Sequence, residues 1–137
     1  MYQRVLLAAD GSDHSFRAAQ HAAGLLENNG TIEVIYVVDG SQSKSDVLQT
    51  GDKEMAKKKR RERLQQIEDW YRKKDISYTI SFLHGEPGPA IVKYANEDKY
   101  DCLVLGSRGL NNLQSMVLGS VSHKVAKRAN CPVMIVK

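Results

Sequence analysis

The 137-residue sequence is poor in cysteine and has no long apolar run. Its two cysteines are too few for a disulfide framework. The longest strongly apolar runs, such as Val5–Ala9 and Val133–Val136, have four or five residues, whereas a membrane-spanning helix needs about 20. The N-terminal segment has one arginine, then five apolar residues and then Asp10, which is not the pattern of a signal peptide. We therefore expect a cytoplasmic protein.

The composition is that of an ordinary globular chain. Apolar residues make up 42% of it and charged residues 26%, close to the averages for globular proteins. This balance excludes a disordered chain, a collagen-like chain and a coiled coil. A chain of this length buries about 68–70% of the surface that its unfolded form exposes. No internal repeat is visible, so we predict one domain over residues 1–137.

The net charge of +4 comes from one segment. Residues Lys53–Arg63 contain seven of the 20 basic residues and two of the 16 acidic ones, so the remainder of the chain is nearly neutral. Such a run usually forms the solvated face of a helix. Nucleic-acid binding is the alternative, although a protein that holds a duplex usually spreads Lys and Arg over a whole face.

Short apolar runs typical of buried strands alternate along the chain with segments whose apolar residues recur at helical spacing. Strands that alternate with helices form a parallel sheet through right-handed crossovers. We therefore predict an α/β fold, an open Rossmann-like sheet of five parallel strands with helices on both faces. We take the strand order to be 3-2-1-4-5, one of the common orders of such sheets. The predicted strands are Val5–Ala9, Thr31–Val38, Ile76–Leu83, Cys102–Leu105 and Val133–Val136.

Helices are expected between the strands. Ser12 is the expected N-cap of the first helix, which Asn28-Asn29-Gly30 would end. The residues Asp39–Gly51 are rich in Ser, Gly, Gln and Asp and predict a mobile loop. A long helix is expected from about Asp52 to Lys74, and shorter ones after the third and fourth strands. The expected buried positions of the first two helices are Phe16, Ala19, Ala23 and Leu26, and Ala56, Leu64, Ile67 and Tyr71.

Two turns of unusual composition follow strands that the predicted order makes neighbours. In open parallel sheets, ligands bind beyond the carboxyl ends of the strands, where the strand order reverses. In the predicted order this reversal lies between strands 1 and 4. Strand 1 is followed by Asp10-Gly11-Ser12 and strand 4 by Gly106-Ser107-Arg108-Gly109. We therefore expect these turns to meet at one crevice, which is the main functional signal.

The second turn continues to Gly119-Ser120, which opens the last helix. Glycine permits close backbone approaches, and a helix start directs free N–H groups at an anion, so the segment predicts a polyphosphate cradle. It is not a Walker A motif, because no Lys follows the glycine, nor a dinucleotide fingerprint, because the glycine spacing differs. The alternative makes Gly106 and Gly109 ordinary turn residues, Asp10 a helix-capping residue and Arg108 a solvated side chain.

With these motifs the whole chain resembles the universal stress protein family. The family's nucleotide-binding members carry Gly-x2-Gly-x9-Gly-Ser/Thr after the fourth strand. The residues that match this motif at every spacing are Gly106, Gly109, Gly119 and Ser120. The segment VLLAADGS at Val5–Ser12 and the closing Cys131-Pro132-Val133 make the resemblance more specific.

The resemblance implies a homodimeric stress-response or signalling protein that binds ATP with Mg²⁺ or Mn²⁺ and acts as a nucleotide-dependent switch. Asp10 would lie near the ribose or the metal, and Ala8 and Val37 would bring backbone toward the adenine. Ala8-Ala9 departs from the bulkier or polar residues of some ATP-binding members, which leaves adenine selectivity open. The residues implied for the phosphate and ribose loop are Gly106, Ser107, Arg108, Gly109, Leu110, Asn111 and Asn112, and those for the helix start are Gly119, Ser120, Val121 and Ser122.

No catalytic constellation is visible in the sequence. Neither Ser12 nor Ser107 lies in a Gly-x-Ser-x-Gly elbow. A nucleotidyl transferase on a related scaffold would need a His-rich or Ser/Gly-rich signature near strand 1, which Asp10–His14 lacks. We name no catalytic residue and expect at most slow ATP hydrolysis. The four histidines are too scattered to predict a metal site, and they are His14, His21, His84 and His123.

The closing strand Val133–Val136 leaves a short hydrophobic edge, and uncovered edges invite pairing. The resemblance implies that two such strands pair antiparallel about a two-fold axis, which makes the contact isologous. The alternative function is a protein-interaction module of the same fold without a nucleotide. Such a module would use the Lys53–Arg63 helix or this edge, and the basic helix would be the surface for any nucleic acid.

Overall fold

A computed structural model describes residues 2–39, 48, 53–108 and 119–137. The strands are β1 (Tyr2–Ala8), β2 (Leu26–Val38), β3 (Ser77–His84), β4 (Cys102–Gly106) and β5 (Val133–Val136). The helices of the described residues are α1 (Asp13–Leu25), α2 (Lys53–Arg63), α3 (Gln65–Lys73), α4 (Pro87–Asn96) and α5 (Ser120–Arg128). Of the predicted loop Asp39–Gly51, all but Asp39 and Leu48 lies outside the described residues.

The strands form one parallel sheet in the order β3-β2-β1-β4-β5, which confirms the predicted α/β topology. β1 lies in the middle, where Leu7 is in register with Val34 of β2 and Val104 of β4. The sheet buries both of its faces, because Val5 and Leu7 belong to the core shared with α1 and α3 while Leu6 belongs to the core shared with α4 and α5. This two-sided burial explains the continuous apolar run of β1.

The first helix begins as predicted and ends earlier. The Ser12 side chain caps it by accepting a hydrogen bond from the Ser15 N–H at 3.1 Å. The helix ends at Leu25 because Leu26 already pairs with Tyr2 as the first residue of β2. Strand pairing with β1 therefore overrides the helical spacing that led to Leu26. Asn29 does adopt a left-handed conformation, with φ of 73°, but it does so inside β2.

The predicted buried stripe of α1 was right only for Ala19. The buried residues of the helix are Ser15, Ala18, Ala19 and Ala22, while the other predicted positions, Phe16, Ala23 and Leu26, are only half-buried. Small side chains face the sheet in this helix, and the larger Phe16 packs at the margin of the core. The helical spacing was read from Phe16, so the predicted stripe lies at the margin of the face that the structure buries.

The predicted long helix is divided at Leu64 into α2 and α3. Leu64 has φ of −94° and ψ of 0°, and its N–H donates to the Arg61 carbonyl at 3.1 Å, a tighter turn than an α-helix makes. All four predicted inward positions of this segment are buried, which confirms them: Ala56, Leu64, Ile67 and Tyr71. None of the described helices is long and apolar enough to cross a bilayer.

Candidate functional site

The turns after β1 and β4 leave the sheet side by side. Ala8 is in register with Leu105, so Ala9-Asp10 and Gly106-Ser107 continue from neighbouring strands at the point where the strand order reverses. This is the place where open parallel sheets hold their ligands. The start of α5 joins them, because the Gly119 N–H donates to the Ser107 carbonyl at 3.2 Å.

Gly106 allows α1 to approach the end of β4 closely. A Cβ atom at this position would lie 2.7 Å from the Cβ of His14 and 3.0 Å from its carbonyl carbon. Any larger residue would therefore push the first turn of α1 away from the sheet. This contact places His14 beside the predicted cradle. From the sequence, the four histidines were judged too scattered for a metal site, and His14 was given no role.

Ser107 connects three elements through its backbone. Its N–H donates to the Val136 carbonyl at 2.8 Å, and its carbonyl accepts from the Gly119 N–H. The Ser122 hydroxyl donates to the Gly119 carbonyl at 3.0 Å and lies 3.5 Å from the Ser107 carbonyl oxygen. Ser107 and Ser122 are both buried, so this small polar network sets the position of the α5 start.

Within the described residues, no side chain caps the N-terminus of α5. Gly119 is its N-cap, with φ of −62° and ψ of 155°, and it makes no side-chain hydrogen bond. The first intrahelical donor is the N–H of His123, which bonds the Gly119 carbonyl at 3.0 Å. The amide groups of Ser120, Val121 and Ser122 therefore precede the hydrogen-bonded helix, in the position where helix starts bind anions. Ser120 is exposed, Val121 half-buried and Ser122 buried.

The turn before α1 is closed by its own side chains. Asp10 accepts a hydrogen bond from the Ser12 N–H at 2.9 Å, and the Ser15 hydroxyl donates to the Ser12 carbonyl at 2.9 Å. Asp10 therefore has the turn-forming role that the sequence left open, and it remains half-buried at the crevice. The described residues contain no group of three His, Cys, Asp or Glu side chains that could hold a metal.

The remaining predicted site residues are placed only in part. Ala8 and Val37 are half-buried and pack against the core on the α4 and α5 face of neighbouring strands. Arg108 is half-buried directly after Ser107. The four predicted residues outside the described part of the chain are Gly109, Leu110, Asn111 and Asn112.

Sequence reasoning also missed a contact between α2 and the turn after β1. Gly11 has φ of 86°, and a Cβ atom there would lie 2.8 Å from the Cβ of Arg63. The Arg63 guanidinium donates to the Tyr36 hydroxyl at 2.9 Å. Arg60 is only 6% exposed. The basic segment is therefore not simply a solvated face, since part of it packs on the rim of the candidate site.

Glu68 ties this segment to the sheet. It is 2% exposed and accepts two hydrogen bonds from Arg61, at 3.0 and 2.9 Å, and one from the Tyr78 hydroxyl at 2.9 Å. The hydrogen bonds from Arg61 have the largest effect on the pKa of Glu68 and lower it, and the bond from Tyr78 lowers it further. Burial raises this pKa but is outweighed, so the pKa lies below its ordinary value. These contacts connect α2, α3 and β3, so Glu68 acts in the framework beside the candidate site.

The carboxylate of Glu33 also has its hydrogen-bond donors within the chain, and one of them belongs to α4. Glu33 accepts hydrogen bonds from Tyr100 at 2.6 Å, Arg4 at 3.0 Å and Tyr94 at 3.2 Å. Burial alone would raise the pKa of Glu33, but these three donors together lower it below the ordinary value. Glu33 lies in mid-strand, in register with Leu6 rather than at the carboxyl end of the sheet. It therefore supports the fold.

Comparison with known proteins agrees with this architecture. The model of the universal stress protein family matches residues 1–137. The universal stress protein MJ0531 of Methanocaldococcus jannaschii is 32% identical over 149 residues, which cover 100% of this chain and 83% of that protein.

Two solved structures share the fold. The structure of protein MJ0577, a universal stress protein of Methanocaldococcus jannaschii, superposes with a TM-score of 0.85 at 25% identity, over 100% of this chain and 96% of that one. A universal stress protein in complex with cAMP superposes with a TM-score of 0.72 at 30% identity, over 99% of this chain and 97% of that one. The chain therefore belongs to the universal stress protein family.

Proposed function

We propose that this chain binds ATP, with Mg²⁺ or Mn²⁺, in the crevice between the ends of β1 and β4, and serves as a nucleotide-dependent switch in a stress response. The observation that carries the proposal is the uncapped start of α5, which lies against Ser107 where the strand order reverses. Free backbone N–H groups and the helix dipole favour a negatively charged ligand at such a position.

The residues present fit a nucleotide. The amides of Ser120, Val121 and Ser122 would hold the phosphates, and Gly106 and Gly119 add no side chain of their own to the cradle. Ala8 and Val37 would line the adenine side. The predicted Gly109–Asn112 loop would complete the phosphate and ribose contacts.

Asp10 is the proposed protein ligand of the metal. Because the described residues supply no cluster of three ligands, the phosphate oxygens and water would provide the other positions. This arrangement suits Mg²⁺, which usually keeps several waters and binds through one or two carboxylates plus substrate phosphates.

The second candidate ligand is cAMP, because one structurally similar universal stress protein is in complex with it. The two ligands differ in the charge that they carry. A triphosphate brings more negative charge to the helix start than a cyclic monophosphate, so the open α5 end favours ATP. The family motif with its Gly119-Ser120 ending favours the same ligand.

Isothermal titration calorimetry with ATP, with and without Mg²⁺, tests the proposal. We expect saturable binding with a Kd below about 1 mM, and weaker binding without the metal. Parallel titrations with cAMP and GTP measure the preference for the triphosphate and for adenine. The absence of saturable ATP binding would contradict the proposal, and a preference for cAMP would replace ATP with the second candidate.

We further propose that the chain forms a homodimer through β5. β5 is an edge strand whose one neighbour is β4, and three of its four residues, Val133, Met134 and Ile135, are only half-buried. A second β5 would cover them and pair with the free edge. Light scattering at micromolar concentration should give twice the 15.3 kDa of one chain, and the mass of a single chain would contradict the dimer.

A further inference from the structure

The side chain of His14 contains a buried nitrogen atom that has no hydrogen-bond partner. Among the described residues, its Nδ1 is the one buried side-chain nitrogen or oxygen without a hydrogen-bond partner. Burying a polar atom without a partner costs free energy, because the atom has lost its hydrogen bond to water. Native structures contain few such atoms, and each one calls for an explanation.

The position of His14 suggests what could bind its Nδ1 atom. It is the second residue of α1, and its Cβ faces the Cα of Gly106, where an added Cβ would lie only 2.7 Å away. It therefore stands beside the Gly106-Ser107 turn, which is one wall of the proposed phosphate cradle. The residue as a whole is half-buried, so the ring is not sealed within the core.

The acceptors of the neighbouring turns are already engaged. Asp10 accepts from the Ser12 N–H, the Ser12 hydroxyl accepts from the Ser15 N–H, and the Ser107 carbonyl accepts from Gly119. None of these oxygens is bonded to Nδ1, so a bound ligand could supply its partner. A ring N–H is a hydrogen-bond donor, and its strongest partners are anionic oxygens such as those of a phosphate.

We propose that His14 is a ligand-binding residue whose Nδ1–H donates a hydrogen bond to a phosphate oxygen of the bound nucleotide. The inference rests on the proposed function and adds a specific side-chain contact to it. The phosphate chain then lies between the first turn of α1, through His14, and the open start of α5, through its amides. Phosphate recognition is thereby shared by the two helices on either side of the crevice.

Three variants test the contact by calorimetry with Mg²⁺ and ATP. His14→Leu removes the donor while keeping bulk, and we expect ATP binding to weaken about tenfold or more. His14→Asn places an amide nitrogen near the position of Nδ1, and we expect binding within about threefold of the unsubstituted chain. His21→Leu is the matched control, because His21 is exposed on the same helix, and it should leave the Kd unchanged.

Two further measurements separate a contact from a structural effect. In the unsubstituted chain, the ¹⁵N resonance of His14 Nδ1 should shift on addition of ATP and not on addition of adenosine. The thermal midpoint of ligand-free His14→Leu should equal or exceed that of the unsubstituted chain, because the substitution removes an unpartnered nitrogen. A lower midpoint with equal losses for ATP and adenosine would overturn the contact.

The outcomes also separate this inference from the proposed function. If the unsubstituted chain binds ATP and His14→Leu binds it equally well, the inference fails and the proposed function stands. If the unsubstituted chain does not bind ATP, the proposed function fails and the inference fails with it. Selective loss of ATP affinity in His14→Leu, with recovery in His14→Asn, supports both.

Discussion

The helices α1 and α5 follow the adjacent strands β1 and β4, so both begin at the same end of the sheet. Their first turns differ in how the backbone N–H groups are bonded. The start of α1 is closed by its own sequence, since Ser12 accepts from the Ser15 N–H and Asp10 accepts from the Ser12 N–H. The start of α5 has Gly119 as its N-cap and no side-chain cap. A helix end whose donors are satisfied adds stability, whereas an open one retains donors for a ligand. The comparison separates a helix start that is capped by its own side chains from one whose backbone amides would bind the ligand.

The largest expected effect comes from closing the open end with Gly119→Asp. Aspartate tolerates the φ of −62° at this position and is a favoured N-cap, so its carboxylate would take the amides that the phosphates need and would repel them. We expect the Kd for ATP with Mg²⁺ to rise about 100-fold, which corresponds to about 2.7 kcal/mol. Calorimetry measures it.

Gly119→Ala is the control for the added carbon alone. Its Cβ would lie 3.0 Å from the Ser107 carbonyl oxygen, so we expect a small shift of the turn and a loss in affinity of about tenfold or less. ATP binding by Gly119→Asp equal to that of the unsubstituted chain would show that the α5 start is not the anion site and would remove the distinction between the two ends.

A smaller effect is expected on the framework side from Glu68→Gln. Glu68 anchors α2, whose last residue Arg63 packs on the turn before α1. Weakening its bonds to Arg61 and Tyr78 should lower the free energy of unfolding by about 2 kcal/mol at pH 7. ATP affinity should change less than about threefold. Urea denaturation and calorimetry measure the two quantities.

The pH dependence of this effect has a definite sign. The folded-state pKa of Glu68 is lowered below the ordinary 4.5, so its carboxylate stabilises the fold above that pH and loses this contribution as the pH falls through the folded-state value. The difference between the unsubstituted chain and Glu68→Gln should therefore shrink at pH values below about 4.5. A difference that stays constant from pH 7 to pH 3 would show that the charge of Glu68 is not what stabilises this region.

The smallest expected effect comes from opening the closed end with Ser12→Ala. The variant loses the hydrogen bond to the Ser15 N–H, which should lower the free energy of unfolding by about 1 kcal/mol and leave the Kd for ATP unchanged. Gly24→Ala, later in the same helix, is a control for which we expect a change in stability of the opposite sign. Nothing lies within 4 Å of its added Cβ, so it should stabilise α1 by about 0.5–1 kcal/mol. Loss of ATP binding in Ser12→Ala would mean that the capped turn of α1 also controls the affinity for ATP, and it would contradict the distinction between the two starts.

The parallel sheet was predictable because the alternation of buried strands and helices is a local pattern, whereas the order 3-2-1-4-5 was chosen from the common orders of such sheets. β5 was predicted with its observed bounds, Val133–Val136. The end of α1 was not, because Leu26 continues a helical pattern and only its pairing with Tyr2 makes it a strand residue. The break at Leu64 gave no Gly or Pro signal and was missed for that reason.

The candidate site divides in the same way. The proximity of the turns at Asp10 and Gly106 could be predicted, since parallel neighbours end at the same edge of a sheet. The contact of Arg63 with the first turn and the unpartnered Nδ1 of His14 could not. Both depend on how closely a helix approaches a glycine from another part of the chain, and no spacing within one segment encodes that distance.

The order of apolar and polar residues by itself determined where the strands and most of the helices lie, that the strands run parallel, and that the glycine-rich turns share one edge. These properties depend on interactions between near neighbours in the chain and on the handedness of crossovers. Only the tertiary structure decided which other elements these two helix ends contact. Those contacts depend on where each backbone donor finds its acceptor, as the Gly119 N–H does on Ser107.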